Sequence, residues 1–162
     1  MVGGLFAFFH VVWITFIPFL ELRASIPIGL GLIGKSAIMS IALVAIITNI
    51  ILGIILFFIV EWIIKVFTKI DFIKKIYDNT IIKIQKKVHP YIHRYGTIGL
   101  AIFIGIPLPG SGVYSGVIAA KILGFEFKDY FIAMCIGVVI AGLIVAIVSF
   151  TGAAALSIFI KG

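Results

Sequence analysis

The chain contains two long stretches without a charged residue, at positions 36–60 and 130–160. A helix needs about 20 apolar residues to cross the ~30 Å hydrocarbon layer of a bilayer, so both stretches are long enough. Glu61 and Lys65 follow the first stretch at a spacing of four, with Trp62 beside them. Such charges and a tryptophan are typical of a helix that leaves the membrane. The pattern therefore predicts two transmembrane helices.

Two further apolar regions, 4–34 and 96–124, are each interrupted near the middle. The arms on either side of an interruption are about 11–17 residues long, or roughly 16–25 Å as helices, which is too short for an ordinary span. We therefore expect two re-entrant helical hairpins that enter the bilayer and turn back. Four short tilted spans are the alternative. The interruptions contain Pro18 and Pro27 in the first region, and Pro107, Pro109 and Gly110 in the second.

The stretch between the two halves, 65–94, carries eight basic and two acidic residues. Its apolar residues recur at steps of three and four, which predicts a basic amphipathic helix on the membrane surface. A solvated connector is the alternative. By the positive-inside rule this linker is cytoplasmic. Its lysines predict anionic lipid headgroups as partners.

Counting sides from a cytoplasmic linker gives an all-α integral membrane protein with one domain. Residues 4–64 form a re-entrant hairpin followed by a transmembrane helix, and residues 96–161 repeat this unit with inverted topology. Both termini then lie on the outer side of the cell membrane. Inverted repeats with broken helices are typical of secondary transporters, whose sites lie where the breaks meet.

The first break carries the only charged residues among the first 34, Glu21 and Arg23. A charge at the centre of a membrane helix costs about 2.5–3.5 kcal/mol on insertion scales, so such residues usually serve transport. We therefore predict that both belong to a substrate- or proton-binding site. The alternatives are an ion pair that fixes the hairpin tip, or a loop at the outer surface.

The second break has the sequence IPLPGSGVY, from Ile106 to Tyr114. Its prolines disfavour helix before them, and its glycines permit backbone angles closed to other residues. If a half-helix begins near Ser111, its free N–H groups form an anion site without a charged side chain. A kinked turn is the alternative. The candidate site residues from this break are Gly110, Ser111, Gly112 and Tyr114.

Small residues recur at a spacing of four in both predicted spans, which lets helices approach closely. The two sets are Ala45, Asn49 and Gly53, and Ala133, Gly137 and Ala141. Asn49 lies near mid-span and needs a partner. A hydrogen bond between helices and a contact with substrate are its two interpretations.

Composition agrees with a membrane protein, because 63% of the 162 residues are hydrophobic and the mean hydropathy is +1.33. A chain this short cannot bury so much apolar surface in its own core. The net charge of +7 lies mainly in the linker, so we expect lipid rather than nucleic acid as its partner. A single cysteine, Cys135, excludes an intrachain disulfide, and no cofactor or metal is expected.

An enzyme is not expected, and no catalytic residue is assigned. Residues 29–36 match the phosphate-loop spacing G-x-x-x-x-G-K-S. No strand precedes this match and the topology places it outside, so ATP is not expected to be the energy source. Ser111 does not fit the G-x-S-x-G nucleophile elbow.

The runs PFLELRASIPIG and IPLPGSGVYSG resemble the signatures of the small multi-drug export protein family, which is similar to the wider DedA superfamily. The resemblance implies a membrane transporter with two facing re-entrant hairpins. The family name implies drug export, whereas DedA-like proteins are associated with movement of polyprenyl-phosphate carriers and phospholipids. Their acidic and arginine residues correspond here to Glu21 and Arg23. The second hairpin of this chain has no arginine.

We therefore predict a proton-coupled transporter or flippase for a lipid-linked anion, such as a polyprenyl phosphate or a phospholipid. Arg23 would pair with the phosphate, the amides of Gly110 to Gly112 would complete its cradle, and Glu21 would carry the proton. A proton-coupled exporter of cationic drugs is the alternative, and an uncoupled scramblase or scaffold is the second alternative. Two spans cover the hairpin tips only thinly, and irregular backbone is not tolerated facing lipid. We therefore predict a homodimer or higher homo-oligomer.

Overall fold

The computed structural model describes residues 2–18, 20–69, 96–107 and 111–161, without the side chains of 2–5, 35 and 153–161. These ranges are helical and contain no strand. A short 3₁₀ turn, Lys35–Ala37, joins the second helix to the third. The α-helices of the described ranges are α1 (Val2–Thr15), α2 (Glu21–Ile33), α3 (Ile38–Phe67), α4 (Thr97–Gly105), α5 (Val113–Leu123) and α6 (Phe127–Lys161).

Helices α3 and α6 are long and apolar enough to cross a membrane. The 30 residues of α3 extend about 45 Å, and the 26 residues Phe127–Gly152 of α6 about 39 Å. Most of each helix surface is not buried within the protein, and large side chains such as Leu43 and Ile147 are exposed. A soluble protein rarely exposes such continuous apolar faces. The two long apolar helices that the sequence predicts are therefore present, and each is long enough to span a membrane.

The other four helices are short and form two pairs, each separated by a break. Helix α1 ends at Thr15, and hydrogen-bonded turns lead the chain to Glu21. Helix α4 ends at Gly105, and α5 begins after Gly112, whose φ is +107°. With 14, 13, 9 and 11 residues, these helices are roughly 14–21 Å long. Each is shorter than the hydrocarbon layer.

Pro27 does not lie at a break, which corrects the expectation from the sequence. Helix α2 continues through it, and the chain turns before Glu21 instead. A proline in a helix has no N–H to donate to the carbonyl four residues before it, so a helix usually ends or bends there. The helix continues because its buried face, which includes Ile26 and Leu30, packs against its neighbours. Pro18 and Pro107 do lie in the breaks.

Close contacts between helices depend on the small residues of α3 and α6. A Cβ added to Gly137 of α6 would lie 2.7 Å from the carbonyl oxygen of Ala101 and 2.7 Å from Cβ of Ile104. A Cβ added to Gly53 of α3 would lie 2.9 Å from Val113. The hydroxyl of Tyr130 donates to the carbonyl of Gly53. The predicted close packing at small residues is confirmed.

The predicted linker begins later than expected, because α3 continues to Phe67. Glu61 and Lys65 form the expected ion pair at 2.7 Å. The remainder of the linker, residues 70–94, lies outside the described residues. Pro109 and Gly110 also lie outside them.

Candidate functional site

The carboxylate of Glu21 lies at the beginning of α5, although Glu21 itself begins α2. One carboxylate oxygen accepts the N–H of Val113 at 3.2 Å, and the other accepts the N–H of Tyr114 at 3.2 Å. The first N–H groups of a helix have no partner within it and carry its positive dipole end. Glu21 is 2% exposed, so this anion is held inside the protein by the N-terminus of a distant helix.

The backbone of both breaks is shaped for this contact. Gly112 has φ +107°, and a Cβ there would lie 2.5 Å from one Glu21 oxygen and 3.0 Å from Nη2 of Arg23. Only glycine fits this position without strain. Glu21 has φ +45°, a left-handed angle that costs a non-glycine residue about 1–3 kcal/mol. Such strain persists where the surroundings fix the residue, as the α5 amides do here.

Arg23 extends from the first break to the second. Its Nη2 donates to Oγ of Ser111 at 2.8 Å and to the carbonyl of Ile106 at 3.4 Å. The Ser111 hydroxyl in turn donates to the Ile106 carbonyl. The guanidinium therefore supplies a donor to the carbonyl of Ile106, which lies just after the end of α4. This contact is charge-assisted and joins the two helix pairs.

The Tyr114 side chain adds a further hydrogen bond between the two breaks. The hydroxyl of Tyr114, on α5, donates to the carbonyl of Phe16 at 2.6 Å, in the break that follows α1. Within the first pair, the buried hydroxyl of Thr15 donates to that of Ser25 at 2.9 Å. These bonds supply partners for polar groups that lipid cannot satisfy.

Asn49 lies beside this cluster at the centre of α3. Its side chain is 0% exposed, and it lines a narrow gap together with Glu21 and Arg23. Neither the amide nitrogen nor the amide oxygen has a hydrogen-bond partner among the described residues. The helix–helix hydrogen bond expected for Asn49 is therefore not formed there.

An open cavity of about 660 Å³ lies on the other side of Arg23, between α2, the second break and α6. Arg23 is its only charged lining residue among those described, and Glu21 does not line it. Most of the lining is apolar. The lining residues are Arg23, Pro27, Leu30, Gly31, Gly34, Pro107, Ile144, Val145, Val148, Ser149 and Gly152.

The cluster lies near the middle of the uncharged part of each long helix, residues 38–60 of α3 and 130–152 of α6. Asn49 and Val138 line the narrow gap, and each is the twelfth residue of its helix, α3 or α6. This places the gap about 17 Å from the start of each helix. A layer of about 30 Å centred on these helices would have the Glu21 carboxylate deep inside it.

The structure thus brings together Glu21, Arg23 and Asn49 from the first half of the chain with three candidates from the second. These three are Ser111, Gly112 and Tyr114. The sequence predicts a free anion site at the amides of Gly110 to Gly112. Among the described residues, the amides that hold an anion are instead those of Val113 and Tyr114, and the anion is the Glu21 carboxylate. Sequence reasoning missed the carbonyl of Ile106 and the N–H of Val113, because backbone groups leave no signal in residue identity.

A second polar cluster lies at the opposite end of α5. Nζ of Lys121 is 3.0 Å from a carboxylate oxygen of Glu61 and 3.3 Å from the ring centre of Phe57. The Lys121 side chain is 13% exposed, whereas that of Lys65, which also pairs with Glu61, is 71% exposed. The end of α5 is therefore fixed to the end of α3 by an ion pair and a cation–π contact.

Comparison with protein families matches residues 21–144 to the family described as "Putative small multi-drug export protein". The match covers 124 of 162 residues, from Glu21 through the second break to the middle of α6. No curated protein matches the chain, and neither does a solved structure.

Proposed function

Because this chain belongs to the small multi-drug export protein family, we propose that it is a membrane transporter whose site is the junction of its two helix breaks. The transported species is an anionic amphiphile, such as a lipid-linked phosphate, and protons drive its movement. The observation that carries this proposal is the buried Glu21 carboxylate on the α5 amides, with Arg23 of the same helix facing an open apolar cavity.

The proposed architecture is a pair of inverted repeats with re-entrant hairpins. Contacts between helices support it. If α1, α2 and α3 correspond to α4, α5 and α6, then the contact of α2 with α6 corresponds to that of α5 with α3. The contact of α1 with α3 likewise corresponds to that of α4 with α6, and all four contacts are present. A two-fold relation between halves would produce this pattern.

The cavity beside Arg23 supports an anionic ligand with an apolar tail. A guanidinium binds phosphate through parallel N–H donors, and no carboxylate among the described lining residues opposes it. The rest of the lining suits a hydrocarbon chain, which can remain among α2, α6 and lipid. We propose that the head group lies at Arg23 and the tail extends along the cavity.

Glu21 would act as an internal anion that competes with the substrate. When ionised, its carboxylate occupies the N–H groups of Val113 and Tyr114. A neutral carboxyl group is a weaker acceptor and no longer benefits from the helix dipole. Protonation of Glu21 would therefore release these amides to an incoming phosphate, and departure of the phosphate would favour deprotonation. Such an exchange couples proton binding to substrate binding at one place.

A cation exporter is the second candidate, because the family description names multi-drug export. In that case the Glu21 carboxylate would bind the cationic drug in exchange for a proton. Glu21 lines a gap without room for a water molecule and does not line the 660 Å³ cavity, which supports the anion proposal more strongly.

Proteoliposomes can distinguish these candidates by flux of a labelled polyprenyl phosphate and of a cationic dye, each under two pH gradients. We expect movement of the phosphate that follows the gradient, a loss of at least tenfold in Arg23→Ala, and loss of coupling in Glu21→Gln. Lys65→Ala, which changes an exposed lysine, is the matched control.

Three other outcomes would contradict the proposal. Dye transport that depends on Glu21 and tolerates Arg23→Ala would favour the cation exporter. Phosphate movement that ignores the gradient and survives Glu21→Gln would favour an uncoupled scramblase. Absence of movement for both probes would favour a scaffold.

We also propose a homodimer or higher homo-oligomer in the cell membrane, with the 65–94 linker inside and both termini outside. On α1, the apolar side chains of Phe6 and Trp13 are each about two-thirds exposed. This exposure supports the proposal that another subunit or lipid covers the short helices. Labelling of single cysteines from either side of the membrane tests the orientation. A labelled linker on the outer side would contradict it.

A further inference from the structure

Asn49 is the only described residue near the junction whose polar side chain is fully buried with both of its hydrogen-bonding atoms unused. Its amide nitrogen and oxygen have no partners among the described residues. The gap that it shares with Glu21 has no room for a water molecule in this state. A buried amide in this condition is destabilising, so it needs an explanation. Here a partner that arrives in another state supplies one.

We infer that Asn49 is the hydrogen-bond partner of the neutral Glu21 carboxyl group. This inference rests on the proposed function, in which Glu21 leaves the α5 amides when it takes up a proton. The two side chains line the same narrow gap, so the carboxyl group would reach Asn49 by a local change of the side chains around the gap, without crossing the protein. Asn49 thereby stabilises the proton-loaded state of the transporter.

Hydrogen-bond chemistry distinguishes the neutral group from the ionised one. A carboxylate only accepts, so it would use the NH₂ of Asn49 and leave the amide oxygen unpaired. A protonated carboxyl group has one donor and one strong acceptor. It therefore satisfies both unused atoms of Asn49 at once, in a cyclic pair of two hydrogen bonds. If the protonated group stayed at α5, its O–H would face the N–H groups of Val113 and Tyr114. These are donors as well, so the O–H would have no acceptor there.

The other groups that face Glu21 do not offer this match. Arg23, Tyr114 and Tyr130 interact electrostatically with Glu21. The guanidinium of Arg23 has donors only. The tyrosine hydroxyls already donate to backbone carbonyls, so each offers an acceptor and no free donor. Asn49 alone among these described neighbours presents an unused donor together with an unused acceptor.

Glu21→Gln provides a permanently neutral side chain for the test, because a carboxamide also has a donor and an acceptor. Like the protonated carboxyl group, it would place a donor against the α5 amides and is expected to pair with Asn49. The experiment compares the thermal unfolding of four purified proteins: wild type, Asn49→Leu, Glu21→Gln and the double variant. It is repeated with Asn49→Ala, which decides the result if leucine prevents folding.

We expect Asn49→Leu to raise the unfolding temperature of the wild type by roughly 2–4 °C, because two unsatisfied buried atoms disappear. The same change in the Glu21→Gln background should lower it by a similar amount, because a hydrogen-bonded pair is broken. Thr48→Val, a buried polar change on the same helix, is the control and should act equally in both backgrounds.

An equal effect of the Asn49 change in both backgrounds would overturn the inference. The measurement needs no substrate, so its outcome is independent of the flux experiment. Suppose that transport requires Glu21, but the Asn49 substitution changes the unfolding temperature equally in both backgrounds. The proposed function would then stand, and the role of Asn49 would be wrong. Suppose instead that the Asn49 substitution changes the unfolding temperature in opposite directions in the two backgrounds, but the protein moves neither probe. The pairing of Asn49 with neutral Glu21 would then stand, and the transport proposal would be wrong.

Discussion

The carboxylate of Glu21, the first residue of α2, accepts the backbone N–H of Val113, the first residue of α5, at 3.2 Å. The two residues are separated by 92 positions in the chain. Each lies where a short helix begins, so one contact joins the two breaks. It also places an ionisable group against a helix N-terminus inside an apolar protein. The proposals for this chain follow from that relationship.

Gly112→Ala should destabilise the protein and abolish the function of the junction. The new methyl group would meet the carboxylate of Glu21 at a residue whose φ is +107°. Strain of this kind costs about 1–3 kcal/mol, and the carboxylate would also leave the α5 amides. The measurement is the free energy of unfolding in denaturant, together with flux.

The matched control for the unfolding measurement is Gly31→Ala, since a Cβ at Gly31 of α2 meets nothing within 4 Å. It is not a control for flux, because Gly31 lines the proposed substrate cavity. This change should be neutral or stabilising by up to about 1 kcal/mol, because alanine favours helix. If both variants unfolded at the same denaturant concentration, the described shape of the second break would be wrong.

Gly137→Ala should separate α4 from α6. The added Cβ would lie 2.7 Å from the backbone carbonyl of Ala101, which cannot move without displacing its helix. Overpacking of a well-packed core costs about 1–3 kcal/mol. Thermal unfolding should show a clear loss, whereas Gly99→Ala, with open space around its Cβ, should not. A wild-type unfolding temperature in Gly137→Ala would contradict this helix contact.

Lys121→Met should destabilise the protein more than Lys65→Met does. Both lysines pair with Glu61, but Lys121 is largely buried and also lies over the ring of Phe57. An exposed ion pair contributes about 0–1 kcal/mol, and a desolvated cation–π contact adds up to about 2 kcal/mol. Unfolding measured at two salt concentrations tests the difference. If the two variants lost equal free energy of unfolding, the contacts of Lys121 with Glu61 and Phe57 would add no stability beyond that of an exposed ion pair.

Apolar pattern was sufficient to predict the long helices and the paired short ones, because lipid imposes a minimum length on a span. It was also sufficient to predict that Glu21 and Arg23 belong with Ser111 and Gly112, because charges and freed backbone groups need one another in an apolar medium. These residues do lie together in the structure.

Pattern was insufficient in two places. The sequence predicts a break at Pro27 because proline usually ends a helix, yet the packing of Ile26 and Leu30 keeps α2 continuous through it. The partner of the α5 amides was also missed. Which side chain reaches a given N–H depends on tertiary geometry, and Glu21 reaches Val113 only because Gly112 has no side chain.

The most direct test of the account is a carbon–nitrogen distance measured by magic-angle-spinning NMR, with the protein in lipid bilayers at neutral pH. The label pair is the side-chain carboxyl carbon of Glu21 and the backbone nitrogen of Val113. We expect a dipolar coupling that corresponds to direct hydrogen bonding, and its loss in Gly112→Ala. Absence of the coupling in the wild-type protein would contradict the account, because the two helix breaks would then not meet at Glu21.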